Sequence, residues 1–209
     1  MTPGHKQKGI QHDTASISQN GKVKRRYRSV PQAHGPDDLE ALLEFYRALP
    51  EEDRLFLRSD VTKRENVVRR FGRLDYETVF PVLALVKEKI IGIGTIFRAE
   101  FGWKRDLGEI RVVVAREYQR KGLGTILTRE LFFHAIKPKL FKLQAEMMDT
   151  QKSAIAAFER LGFRTEAVLK KHVTDVTGQR RDLIIMTLDI EELWYLMEDF
   201  VKGTYFYVV

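Results

Sequence analysis

Two places in the chain are equipped for chemistry. One is the glycine-punctuated, cation-bearing segment Gln119-Arg120-Lys121-Gly122-Leu123-Gly124-Thr125, and the other is Glu109, ten residues before it. They are joined by LGEIRVVVAREYQRKGLGT, residues 107–125. In that run Ile110, Val112, Val113 and Val114 are β-branched and favour a pleated backbone. The apolar run is almost continuous, as in a central strand covered on both faces. Glycine lets backbone N–H groups approach a ligand without interference from a Cβ. The unpaired N–H groups at a helix start favour an anion. The segment after the strand, leading into a helix expected over Thr125–Ile136, is therefore suited to a phosphate or pyrophosphate. The spacing is neither GxxxxGK[ST] nor GxGxxG, which argues against a P-loop nucleotide site and a dinucleotide fold. Glu109 enters the same strand from its other end. Arg111 shares its face by strand alternation, so the carboxylate has three candidate roles: proton acceptor, partner in an ion pair, or solvated strand end.

These groups need a framework to hold them, and the chain offers one. Its 209 residues are 44% hydrophobic and include 13 Phe, enough for a packed globule. Polar residues 1–21 read as a flexible tail, with seven Lys and Arg between Lys6 and Arg28 facing only Asp13. Residues 22–189 read as one domain, and 190–209 as a terminal amphipathic helix appended to it. Within the domain a strand is expected over Val23–Val30. A helix capped by Asp37 or Asp38 should follow to Leu49, with a further turn from Pro50 and a helix over Lys63–Phe71. The last carries Arg64, Arg69 and Arg70, with Arg73 just beyond, either as a solvated face or as a basic docking surface. Val79–Lys87 and Lys89–Glu100 form a hairpin, with Gly92 and Gly94 marking close backbone approach or a bulge. Leu140–Met147 is a strand and Gln151–Leu161 a helix ended by Gly162. Phe163–His172 and Arg181–Asp189 are the last strands.

There is no cysteine, which excludes disulfides, thiolate nucleophiles and Cys-based metal sites. The five histidines are scattered without ligand spacing, so no metal site is expected. The net charge of +7 suits a polyanion. No apolar run is long enough to span a bilayer, and the N-terminus has no signal-peptide apolar core, so a cytoplasmic protein with no membrane partner is expected.

QRKGLG resembles the Gln/Arg-x-x-Gly-x-Gly/Ala pyrophosphate loop of the GNAT superfamily of acyl-CoA-dependent N-acyltransferases. The stretch Gln151–Phe163 is similar to that family's later Asn-x-x-Ala…Tyr-x-x-x-Gly-Phe, with Gln151 in place of Asn and Phe158 in place of Tyr. The order of expected strands and helices is also the GNAT order. The resemblance implies an α/β (α+β) fold with a mixed, mostly antiparallel central sheet flanked by helices. It implies acetyl-CoA as cosubstrate, without metal. Backbone groups of Val112, Val113 and Val114 would meet the pantetheine amides, which requires the strand to splay from its neighbour near Leu140–Leu143. Gln119, Arg120, Lys121, Gly122, Leu123, Gly124 and Thr125 would take the pyrophosphate, with Gln151 and Phe158 also at the cofactor.

In the family the Tyr phenol often protonates the departing thiolate. Phe158 has no such proton, so it packs on the pantetheine arm or simply in the core, and Tyr118, Tyr76 or water are the substitutes. Glu109 matches the position of the general base in protein-lysine acetyltransferases. LPEEDRLFLR also resembles those enzymes, which implies a primary amine acceptor, a protein lysine among the candidates, attacked directly with base assistance. A small-molecule amine is an alternative acceptor. A non-catalytic acyl-CoA-binding regulator is an alternative function, supported by Phe158 and the Glu109–Arg111 pairing. Nucleic-acid binding through the basic tail and arginine-rich helix is the weakest alternative and is not expected. The assembly is read as a monomer or homodimer.

Overall fold

Seven strands build one sheet in the computed structural model, which describes residues 26–28, 36–57, 59–72, 74–87, 89–136 and 140–192. They are β1 (Arg26–Arg28), β2 (Val79–Val86), β3 (Lys89–Arg98), β4 (Leu107–Val114), β5 (Lys142–Met148), β6 (Arg164–Thr174) and β7 (Arg180–Asp189). Their spatial order is β1-β2-β3-β4-β5-β7-β6. Only β4 and β5 run parallel, so the expected mixed and mostly antiparallel sheet is what forms. The helices are α1 (Pro36–Ala48), α2 (Glu51–Arg54), α3 (Arg64–Phe71), α4 (Leu123–Ile136) and α5 (Lys152–Arg160).

Several boundaries differ from expectation. α1 begins at Pro36, so Asp37 and Asp38 lie inside its first turn instead of capping it. A proline suits that first position because its φ is already helical and its missing N–H would have no helical partner. α4 begins at Leu123, two residues before Thr125. Of the terminal helix, Ile190–Glu192 is helical; its remainder and the tail 1–21 lie outside the described residues. Gly162 has φ +92 and ends α5 in the left-handed conformation its sequence position suggested.

Period-two alternation sends the sheet's side chains into two separate cores. On one face Ile96, Ile110, Leu143 and Met186 pack under α4 and α5, together with Leu127 and Leu131. On the other, Ile93 and Val113 pack under Leu42, Tyr46, Val67 and Phe71 of α1 and α3. β4 is thus covered on both sides, as its near-continuous apolar run required.

Gly92 and Gly94 allow α4 to lie close on β3. A Cβ at Gly94 would stand 3.0 Å from Leu131 Cδ1, and one at Gly92 would stand 3.2 Å from Leu127 Cδ1. Leu123, Leu127 and Leu131 recur every fourth residue and are at most 1% exposed, so one stripe of α4 is seated on these glycines. A bulge also forms here, since Ala84 pairs with Gly92 while Leu85 pairs with Ile90. The consequence for the site is positional: the N-terminus of α4 is fixed over the C-terminal end of β4. Among the described residues no helix is long and apolar enough to cross a membrane.

Candidate functional site

The sheet splits at its parallel pair. β4 and β5 pair only at Leu107↔Lys142, Gly108↔Leu143 and Glu109↔Gln144. Past Glu109, β4 keeps its register with β3 as far as Val114↔Gly92, and β5 keeps its register with β7 as far as Met148↔Leu183. Both walls of the resulting wedge are therefore held from behind. The splay expected near Leu140–Leu143 lies just beyond it: Lys142, Leu143 and Gln144 are paired with β4, and the strands part after Gln144.

The backbone direction in β4 follows from a single bond. Ala115 N–H donates to Ile91 C=O at 2.9 Å. Peptide groups alternate sides along a strand, so Val113 and Arg111 also point at β3, while Ile110, Val112 and Val114 point into the wedge. Of the three valines expected to meet a ligand, Val112 and Val114 are so placed and Val113 is not; Ile110 takes its place. Gln119 Nε2 donates to the Val114 C=O, and the backbone groups left along this edge are a template for an extended chain that carries amides.

At the wide end of the wedge lies the glycine-containing turn. A 3₁₀ turn, Arg116–Tyr118, leads into it. Arg120 and Gly122 have φ of +55 and +80. Ile126 N–H to Gly122 C=O, at 3.1 Å, is the first helical bond of α4 in this segment, so the amides of Leu123, Gly124 and Thr125 precede it. A Cβ built on Gly122 or Gly124 would meet no atom within 4 Å. The result is an open bowl with N–H groups at its base and the positive end of a helix dipole behind it. Leu123 is 1% exposed and anchored in the core, so only its backbone reaches the bowl. Arg120 and Lys121 are exposed beside it, Lys121 Nζ lying 5.7 Å from the centre of the Tyr118 ring.

Gln119 acts as a strut. Its Nε2 donates to Val114 C=O at 3.0 Å and to Asp53 Oδ2 at 3.1 Å. Arg116 Nη2 reaches Glu52 Oε1 at 2.6 Å. The backbone amide of Glu52, and then Arg116, hold that carboxyl below the usual carboxylate range. The two acids of α2 thus moor the turn to the rest of the fold. Sequence reasoning tied LPEEDRLFLR to acceptor choice and missed this mooring, because the partners lie more than sixty residues apart.

At the narrow end, on the α1–α3 face, is a recess of about 320 Å³ lined by Arg69, Arg70, Val79, Phe97, Glu109 and Arg111. Arg111 Nε donates to Glu109 Oε1 at 3.0 Å, and Arg111 Nη2 contacts the same oxygen. The two side chains are 13% (Arg111) and 16% (Glu109) exposed. The ion pair foreseen as one role of Glu109 is present, and the carboxylate still lines the recess. The guanidiniums of Arg70 and Arg111 lie 5.2 and 5.1 Å from the centre of the Phe97 ring. Beneath them, burial pushes the Tyr46 phenol well above its ordinary range, opposed by the positive charges of Arg70 and Arg111. Of the other α3 arginines, Arg64 pairs with Glu40 at 2.6 Å, Arg69 Nη2 bonds Asn66 Oδ1 at 3.0 Å, and Arg73 lies outside the described residues.

The remaining candidates serve the framework. Gln151 Oε1 accepts the Met148 N–H at 2.8 Å and so closes the turn between β5 and α5. Phe158 is 8% exposed and meets Phe163 edge to face at 4.8 Å, as a core residue does. Tyr118 packs, half-buried, against the α4-side core. Tyr76 packs on Phe80, which meets His134 near the far end of α4. Asp149, just past β5, has a buried oxygen, Oδ1, with no hydrogen-bond partner among the described residues. The open bowl, the two-walled wedge and this orphan acceptor at the end of one wall fit a long ligand with a diphosphate at one end and amides along its arm.

Comparison with known proteins agrees with this fold. The model of the Acetyltransferase (GNAT) family matches residues 39–163. The [Ribosomal protein bS18]-alanine N-acetyltransferase of Escherichia coli K12 is 37% identical over 79 residues, which is 38% of this chain and 53% of that protein. The chain therefore matches about half the length of such curated relatives. Among solved structures, the ribosomal-protein-alanine N-acetyltransferase of Brucella melitensis superposes with TM-score 0.65 at 22% identity, covering 76% of this chain and 98% of that one. The yncA structure from Salmonella typhimurium, determined with its cofactor acetyl-CoA, superposes with TM-score 0.66 at 18% identity, covering 79% and 94%. At these identities the structural matches speak for the fold.

Proposed function

Since this chain belongs to the GNAT acetyltransferase family, we propose that it moves an acetyl group from acetyl-CoA to a primary amine presented at the Glu109 recess. The observation that carries this reading is the wedge that opens past Glu109 and ends at the bowl formed by Gly122–Thr125. One edge of β4 thereby links an anion site to a carboxylate.

Acetyl-CoA supplies the acetyl group already activated as a thioester. The chain supplies placement and a proton acceptor. The amides of Leu123, Gly124 and Thr125 hold the diphosphate, with Arg120 and Lys121 adding charge at the rim. Ile110, Val112 and Val114 align the pantetheine arm by backbone bonds. Gln119 keeps the turn at the end of β4, and Glu109 takes the proton from the amine. Phe158 has none to give, so water protonates the thiolate.

The acceptor we favour is the α-amine of a polypeptide, and two considerations support it. The matched relatives are named for an alanine amine. In addition, about a quarter of an α-amine is neutral near pH 7.4, against about one in a thousand for a lysine side chain. Glu109 already commits one oxygen to Arg111, so an amine that loses its proton readily suits it better. A lysine side chain, which LPEEDRLFLR suggests, is the second reading.

The test is release of free thiol from acetyl-CoA with three acceptor sets. These are peptides with a free N-terminus and no lysine, N-terminally blocked peptides with one lysine, and simple alkylamines. Turnover greatest on the first set is expected. Binding of acetyl-CoA with no turnover on any amine would leave a non-catalytic acyl-CoA-binding regulator in place of a transferase.

A further inference from the structure

The recess beside Glu109 has a charge composition that bare amine chemistry does not require. Three guanidiniums and one carboxylate line it. Arg70 and Arg111 are both held on the Phe97 ring, at 5.2 and 5.1 Å from its centre, so one aromatic ring keeps two cations at the recess. Arg111 is only 13% exposed, and charges that shielded are less well screened by water than surface charges are. A site meant only for an ammonium would be lined with acids. A polycationic acceptor, such as a polyamine or a lysine-rich tail, would meet like charge in this recess and be disfavoured. Val79 and Phe97 give it an apolar floor.

From this arrangement we infer that the acceptor carries a carboxylate close to its reacting amine, and that Arg70, with Arg69 at the rim, receives that carboxylate while the amine faces Glu109. This rests on the transfer reading above and narrows it. Arg70 and Glu109 line the same recess, and Arg70 shares the Phe97 ring with Arg111, which contacts Glu109, so the groups that would receive the amine and the carboxylate are neighbours. The ligand must therefore hold its own two charges only a few bonds apart. Planar, forked guanidinium donors suit a carboxylate better than a point charge does. Two sources share this chemistry: the α-carboxylate of a free amino acid, and an acidic side chain next to a peptide N-terminus.

Equilibrium binding of acetylated products tests this without any turnover. The first pair is N-acetyl-alanine and its amide; the second is N-acetyl-Ala-Glu-amide and N-acetyl-Ala-Gln-amide. Each would be titrated calorimetrically into the full chain. The carboxylate member of one pair is expected to bind about ten- to a hundredfold tighter, and which pair shows this identifies the source. Arg70→Gln should reduce the preference to within about twofold, and Arg70→Lys should restore only part of it. Equal binding within both pairs to the unmodified chain overturns the inference, as does a preference that survives Arg70→Gln together with Arg69→Gln. A carboxylate preference without acetyl transfer would uphold Arg70 as a carboxylate-binding group and remove the transfer reading.

Discussion

Gly122→Val is expected to weaken coenzyme A binding about a hundredfold while the fold survives. Gly122 sits at φ +80, a region that β-branched residues avoid. A Cβ there meets no protein atom within 4 Å, so the strain falls chiefly on the turn itself. Relieving it means rotating the peptide groups that lead into α4. The amides of Leu123 and Gly124 then no longer converge. Losing one or two charge-assisted hydrogen bonds of about 1.5–3 kcal/mol each gives the stated factor. Gly124→Ala is the matched control. It also adds a Cβ into open space, but it lies within the helix and needs no unusual φ. It should keep affinity within a few-fold and stabilise α4 by up to about 1 kcal/mol. Calorimetric titration of both variants, with melting curves alongside, checks this pair.

Glu109→Gln is expected to lower turnover about 10²- to 10⁴-fold at neutral pH and to recover much of that at high pH. The recovery is the informative part. Near pH 10 most α-amines are already neutral, so little remains for a base to do. Glutamine keeps an oxygen for Arg111, whose side chain is only 13% exposed and whose charge would be costly to leave unpaired. If Glu109 served only to pair with Arg111, the loss would be similar at every pH. A full pH–rate profile of the variant beside the unmodified chain separates the two roles.

The central strand, the glycine turn and the helix after it were legible from the sequence because each has a local cause. β-Branched runs, left-handed glycines and four-residue apolar spacing all act within a few residues of themselves. The elements from α1 to β7 were legible to within one or two residues for the same reason, and the start of α4 was missed by two. Its first helical bond runs to Gly122 C=O, so Leu123 and Gly124 already belong to the helix. The backbone direction of Val113 was not read although the signal was present. Val113 shares the Glu109–Arg111 face, and alternation of the peptide groups then turns its backbone toward β3. What had no local signal was long-range. Asp53 bonding Gln119, Glu52 bonding Arg116, and Arg70 over Phe97 join segments that are distant in the chain. Among the α3 arginines, nothing in the sequence distinguishes Arg70, held over an aromatic ring at the recess, from Arg64, paired with Glu40.

The most direct measurement compares coenzyme A with pantetheine, which is the same arm without its diphosphate and nucleotide, in titrations of the unmodified chain. If the bare amides of residues 123–125 hold the diphosphate, coenzyme A should bind with readily measured affinity and pantetheine at least about a hundredfold more weakly. Pantetheine binding as tightly as coenzyme A, or no detectable binding of coenzyme A, would contradict the assignment.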